Sequence, residues 1–286
     1  MYKPLYDLLP NSPISYPVLT ELRRPPPYAP MEKNWLLFFS RDYGTFAQYE
    51  ITPTVRTIAK LIGNGYVTEN ITSPLEIPCL GHPHPVSAGP GDATVLNRNI
   101  LKDGWHQATN SLKLVLCERK DVECRVTEDM EVFIAVVQRK RHNHFGLVKR
   151  YERVVVIWQS KPPFRMLAVG TARVLFTGEG WDSVSAEKPK GSTEKVNSSV
   201  PTLSLHQKRG KEHNFNFMMS LAFDHSRRRN ENVDFSVGRN PDDMYIGYLD
   251  DYLIVGVGVG DKGMGVVRLR VNELVTGLAV CPGFAD

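Results

Sequence analysis

Apolar residues in this chain alternate with a period of two or fall in short runs, and few stretches carry the spacing of a long helix. Gly, Pro, Asn or Asp soon cuts each run. A chain patterned this way buries its apolar surface as sheets joined by turns. The runs pair in order. Residues 35–39 (WLLFF) and 45–51 flank a turn at Arg41, Asp42, Tyr43 and Gly44. Residues 112–117 pair with 132–138. Residues 153–159 (RVVVIWQ) and 166–169 flank Lys161, Pro162 and Pro163. Residues 244–249 are expected to meet 253–259 across Asp250 and Asp251, and 266–271 (VVRLRV) to complete that meander. Three groups result, at 32–75, 104–176 and 213–278, each a meander of several strands. Residues 183–211, rich in Ser, Lys, Pro and Gly, are expected to be an exposed, mobile loop between two groups.

Length and charge narrow the function classes. The 286 residues suffice for one large all-β domain or two ordinary ones. A net charge of +4, spread along the chain, does not by itself imply nucleic acid, and Arg227, Arg228 and Arg229 are expected to form an exposed turn. No run reaches the ~18 apolar residues that would span a bilayer. The sequence 1–30 lacks the apolar core of a signal peptide, yet other features point to the secretory route. Asn70-Ile71-Thr72 and Asn197-Ser198-Ser199 are N-glycosylation sequons. Cys117 and Cys124 have the spacing of a hairpin closed by a disulfide, and Cys79 and Cys281 are available for a second bridge, the three pairings staying open. A secretory chain without a signal peptide is expected to be cleaved, trimmed or truncated.

Glu32-Lys33-Asn34-Trp35 ahead of a strand pair resembles a blade opening of five-bladed β-propellers related to glycoside hydrolases and phosphorylases. Residues 248–261 (YLDDYLIVGVGVGD) resemble the closing blade of that group, with an Asp-rich turn before the strand. Residues 105–110 (WHQATN) and 150–153 (RYER) fit two intermediate positions. The resemblance covers about residues 31 to 280 and rests on the order of the motifs. Within it, the cysteine hairpin and residues 151–168 are most similar to a fungal branch that includes hetero-Diels–Alderases of tropolone–sesquiterpenoid biosynthesis. The resemblance implies an all-β five-bladed propeller over 31–286, with 1–30 an extension or the remnant of an earlier blade. Three blades are readable and roughly two are missing before Glu32. The chain is therefore an N-terminally shortened relative or has fewer blades, and open strand edges would favour self-association.

In propellers, the innermost strands line a central funnel, so candidate site residues lie at the blade openings: Glu32, Lys33 and Asn34; His106, Gln107, Thr109 and Asn110; Asn214 and Asn216. A glycosidase needs two carboxyl groups. Glu32 is one candidate, with Asp224, Asp250, Asp251 or Asp261 as partner, although Asp250 and Asp251 read better as the turn itself. A phosphorylase would draw on Arg150 and Arg153. A pericyclase needs no cofactor. It holds a quinone-methide-like diene against an alkene, hydrogen-bonds the diene carbonyl and, through a general acid–base such as His106, dehydrates the precursor. Trp105, Tyr151 and Phe217 would wall its apolar pocket, with Gln107, Asn34, Arg153 and Asn216 contacting the substrate. The expected ligand is a terpenoid or polyketide small molecule, with a glycan as the alternative. His82 with His84 and His142 with His144 lack a third ligand at metal-binding spacing, so no metal is expected. Gly256, Gly258 and Gly260 alternate within a strand and allow close approach.

Overall fold

The computed structural model describes residues 21–28, 34–40, 42–52, 55–72, 79–81, 104–142, 148–171, 174–176, 202–203, 216–224, 246–260 and 263–282. Among these residues the protein is all-β, with fifteen strands and one five-residue α-helix. Strands β1 (Leu36–Ser40), β2 (Gly44–Ile51) and β3 (Arg56–Lys60) form an antiparallel meander. The middle of the chain gives β4 (Trp105–Gln107), β5 (Leu112–Val115), β6 (Glu131–His142), β7 (Val148–Gln159) and β8 (Met166–Gly170). A two-residue parallel pair follows, β9 (Leu175–Phe176) with β10 (Thr202–Leu203). The last part gives β11 (Asn216–Phe223), β12 (Ile246–Tyr248), β13 (Tyr252–Val259), β14 (Gly263–Arg270), helix α1 (Val271–Val275) and β15 (Leu278–Val280).

The three expected groups are present, but their edges are exchanged. Strand β12 does not form a hairpin with β13. It pairs in parallel with β5, Ile246 opposite Lys113, and β13 lies between β11 and β14 instead. The physical reason is at Asp250 and Asp251. Asp250 accepts the Arg119 backbone N–H at 2.7 Å, and Asp251 holds the Arg119 guanidinium at 2.8 Å. The turn is thereby fastened to the 117–124 loop, which sends β12 onto the central sheet. Strand β15 joins that sheet from the other side, beside β8. The result is a seven-stranded sheet flanked by two three-stranded ones, and the described residues form no closed barrel or ring of blades.

The central sheet is apolar on both faces because it is covered on both. Val132, Ile134 and Val136 of β6, with Val155 and Ile157 of β7, pack against Leu221 of β11 and Val255 and Val257 of β13. Phe133, Ala135 and Val137, with Val156 and Trp158, pack against Phe38, Phe46 and Ile58 of the β1–β3 sheet. Successive residues of a strand point to opposite faces, so these odd and even sets must belong to different cores.

Two cysteine pairs stand at disulfide distance. Cys117 and Cys124 are 6.0 Å apart at Cα and close a short loop, as the spacing suggests. Cys79 and Cys281 are 5.4 Å apart and join positions 202 residues apart, which resolves the open pairing. Both Cys79 and Cys281 are buried in the second core. No described helix is long and apolar enough to cross a membrane. Of the expected loop 183–211, Thr202 and Leu203 are a strand paired with β9, and the rest, Asn197 included, lies outside the described residues, as do His82, His84, His144 and residues 227–229; the His142 side chain is likewise not described.

The long covalent loop should contribute heavily to stability. Replacing Cys79 and Cys281 together by Ser is expected to lower the unfolding free energy by about 3–5 kcal/mol. Urea denaturation of both proteins without reductant checks this.

Candidate functional site

A cleft of about 390 Å³ opens where the first strands of the three sheets come together. Its lining is Asn34, just before β1; His106, Gln107 and Ala108 at β4; Gln138 and Lys140 on β6; Tyr151 on β7; and Phe217, Met218 and Met219 on β11. The volume falls in the range of small-molecule sites, ~300–1,000 Å³.

Strand register explains which side chains arrive there. His106 lies opposite Gln138, Lys140 opposite Tyr151, and Gln138 opposite Arg153. Cross-strand partners share a face, and this face is the one that carries Val136 and Val155 deeper in the core. The cleft is thus the polar continuation of an apolar interlayer. Strands β4 and β5 run along the same edge of β6, interrupted at residues 108–111. Thr109 repairs the gap: its Oγ1 accepts the Val136 N–H at 3.0 Å. Asn110 bridges to β11, accepting from Leu221 N–H at 2.8 Å and donating to Leu221 O at 3.0 Å. Both belong to the scaffold rather than to the cleft lining.

The centre of the site is His106. The Tyr151 ring meets it edge-on, with centroids 5.9 Å apart at 85°, and Phe217 follows at 6.1 Å from Tyr151. Gln138, only 2 % exposed, stands between sheets. Its Oε1 accepts the Met218 N–H at 2.8 Å, which fixes the orientation of the amide. Its Nε2 then faces His106 Nε2 at 3.5 Å. An amide N–H is a donor only, so His106 Nε2 serves as acceptor and the ring proton is assigned to Nδ1. Phe217 keeps its place because its strand partner is Gly258. A Cβ there would stand 2.3 Å from the Phe217 ring. Gly256 likewise makes room for Ser220, so these glycines admit side chains of β11. Gly260 turns the chain at φ +57°.

Five sequence candidates, Asn34, His106, Gln107, Tyr151 and Phe217, therefore meet in one cleft. Others do not. Trp105 was expected in the pocket wall, but as the strand neighbour of His106 it points the opposite way. It lies under Arg139, whose guanidinium carbon is 5.3 Å from its ring, in the β1–β3 core. Gln107 borders the cleft with its amide already committed. Its Oε1 accepts from Gln48 and its Nε2 donates to Thr109 O at 2.7 Å. Arg153 was expected to contact substrate and instead is 2 % exposed. It donates to Val174 O at 3.1 Å and Asn216 O at 2.7 Å and covers Phe176. Asn216 is buried beside it. Asp224 pairs with Arg268, and Asp250 and Asp251 hold the turn. Glu32, Lys33, Asn214 and Asp261 lie outside the described residues, as does the Arg150 side chain. Asn70 is exposed, its Oδ1 accepting from Ile58 N–H and its Nδ2 donating to Arg56 O.

Gln138, Lys140, Met218 and Met219 escaped the sequence reading. For the first two a signal existed: they continue the even-numbered face of β6 after Val136. Among the described lining residues no carboxylate appears, and Lys140 is the sole formal charge. No group of three metal-ligating side chains occurs among the described residues. Comparison with protein-family models, curated proteins and solved structures yields no match.

Two variants separate the site from its scaffold. Gln138→Glu replaces the donor facing His106 by an acceptor and should move the ring proton to Nε2, as read from the imidazole nitrogen shifts by NMR. Arg153→Met leaves buried carbonyls without their donors and should cost about 2–4 kcal/mol in urea denaturation.

Proposed function

We propose that the cleft is the active site of a small-molecule cyclase of the hetero-Diels–Alderase type, on a scaffold whose three sheets correspond to consecutive propeller blades. One observation carries the reading. A single cleft gathers Asn34, just before β1, with His106 of β4 and Phe217 of β11, at the openings of three sheets, which is where a propeller binds ligands. The lining supports this chemistry over hydrolysis of a glycosidic bond. Aromatic and thioether side chains, Tyr151, Phe217, Met218 and Met219, suit an apolar polyene or aryl partner. Glycosidases need two carboxyl groups roughly 5–9.5 Å apart, and the described lining supplies none.

In the proposed reaction a hydroxylated precursor first loses water. The leaving hydroxyl takes a proton, another proton leaves the precursor, and a quinone-methide-like diene remains. His106 is assigned to this proton transfer. The diene and an alkene then close a ring through one new C–C and one new C–O bond. Every electron pair comes from the reacting π bonds, so the protein contributes by placement. Tyr151 and Phe217 restrict the reactants to a near-attack arrangement. The scaffold is cross-tied for that purpose by Gln138, Asn110 and Arg153, each bonded to β11. The paired cysteines fit an oxidising, secretory compartment.

A second reading, a carbohydrate-active enzyme or glycan-binding module, is favoured by one fact. Asn34 lines the cleft, and Glu32 precedes it by two residues in the chain.

Gene deletion with metabolite and cell-wall sugar profiling decides between these. Loss of a cycloadduct, with its unjoined partners accumulating, supports the cyclase. An altered glycan profile with unchanged metabolites favours the carbohydrate reading. With the accumulated partners as substrates, His106→Ala should slow turnover by about 10²–10⁴-fold, whereas Glu32→Gln should leave it within about twofold. The reverse ranking sinks the cyclase assignment.

A further inference from the structure

We infer that the cleft selects an anionic ligand that carries an aromatic or similarly planar apolar group, with Lys140 as the charge-selecting residue. This deepens the preceding reading and rests on the cleft being a ligand site, though not on the reaction assigned to it.

Lys140 lines the cleft and is half-buried at the end of the even-numbered face of β6. It forms no ion pair or side-chain hydrogen bond among the described residues, and no carboxylate appears among the described lining. The adjacent basic residue behaves in the opposite way. Arg139, next along β6, points to the other face and is neutralised by Glu152 at 2.6 Å, with both side chains buried. Among the described side chains of these two strands, Arg139 thus has a carboxylate partner on one face and Lys140 has none on the other. A half-buried ammonium exerts a field less screened than at an open surface, so the cleft attracts and holds an anion.

The other polar groups give the charge its setting. The amides of Gln107 and Gln138 are engaged within the scaffold. Lys140 lies directly opposite Tyr151 in the strand register, and the Tyr151 and Phe217 rings are neighbours at 6.1 Å. A ligand whose anionic end meets Lys140 therefore has aromatic surface within reach for an attached planar group. A carboxylate, phenolate or enolate on an aryl or conjugated skeleton matches this arrangement, whereas a neutral sugar leaves the ammonium without a partner.

The test uses the full chain, purified with its disulfides intact, and two probes of nearly equal shape, 2-naphthoate and 2-naphthamide. Affinities are measured by titration calorimetry or ligand-observed NMR at 20 mM and 300 mM salt, conditions that change the screening length from roughly 20 Å to about 6 Å. Naphthoate is expected to bind about five- to tenfold tighter than naphthamide at low salt, the order of a partly shielded ion pair, and to lose most of that advantage at high salt. Lys140→Met should abolish the preference without weakening the amide, and Lys140→Arg should retain it. Phe217→Ala should weaken both probes alike. If the two probes bind equally to the wild type and Lys140→Met changes nothing while Phe217→Ala weakens both, the anion inference fails and the cleft reading survives. If neither probe binds, or Phe217→Ala affects neither, both are overturned.

Discussion

Over most of their length, β6 and β7 have no solvent face. One side lies against the β1–β3 sheet and the other against β11 and β13. Such a hairpin can carry polar side chains only where each finds a partner, because an unpaired buried polar group costs roughly 1–3 kcal/mol. The polar residues begin together, at Gln138 and Arg139 on β6 and at Glu152 and Arg153 opposite them. Arg139 and Glu152 satisfy each other on one face. Gln138 and Arg153 turn to the backbone of β11 on the other. Double-sided burial therefore dictates both the long apolar run and the strict pairing that ends it, and the cleft lies at that end.

The same constraint makes the cleft a well-supported place for chemistry. Its backing is a chain of polar contacts that crosses from one sheet to the next. Arg56 donates to Gln48 at 3.1 Å, Gln48 donates to Gln107, and Gln107 returns to the repaired gap at Thr109. On the opposite side Asn110 exchanges two hydrogen bonds with Leu221. Displacing His106 or Phe217 would disturb contacts on two sheets at once, so side-chain positions in the cleft are coupled to sheet packing.

Much of this was legible in the sequence, for a definable reason. Alternation reports which residues share a face, so the hairpins around residues 44, 161 and 261 and the meeting of His106 with Tyr151 and Phe217 could be anticipated from strand openings. Alternation is silent about which sheet an edge strand joins. The path of β12 depends on Asp250 and Asp251 meeting Arg119, a contact across more than a hundred residues, and no local pattern encodes it. Trp105 follows the period-two rule as the strand neighbour of His106 and so faces the other core. Arg153 was misread because a buried guanidinium serving backbone carbonyls has the same sequence signature as one awaiting a ligand. Gln138 and Lys140 lay on a readable face and were overlooked because the apolar run before them suggested core.

The Cys79–Cys281 bridge gives the molecule a circular covalent outline. Every peptide bond between those residues lies inside a closed ring. A single protease cut anywhere in that ring would add a new pair of termini without dividing the molecule in two. Such a nicked form would keep its mass under oxidising conditions and separate into fragments only on reduction and denaturation. Wherever the bridge stays oxidised, the ring means that losing one peptide bond and losing a piece of the chain are separate events.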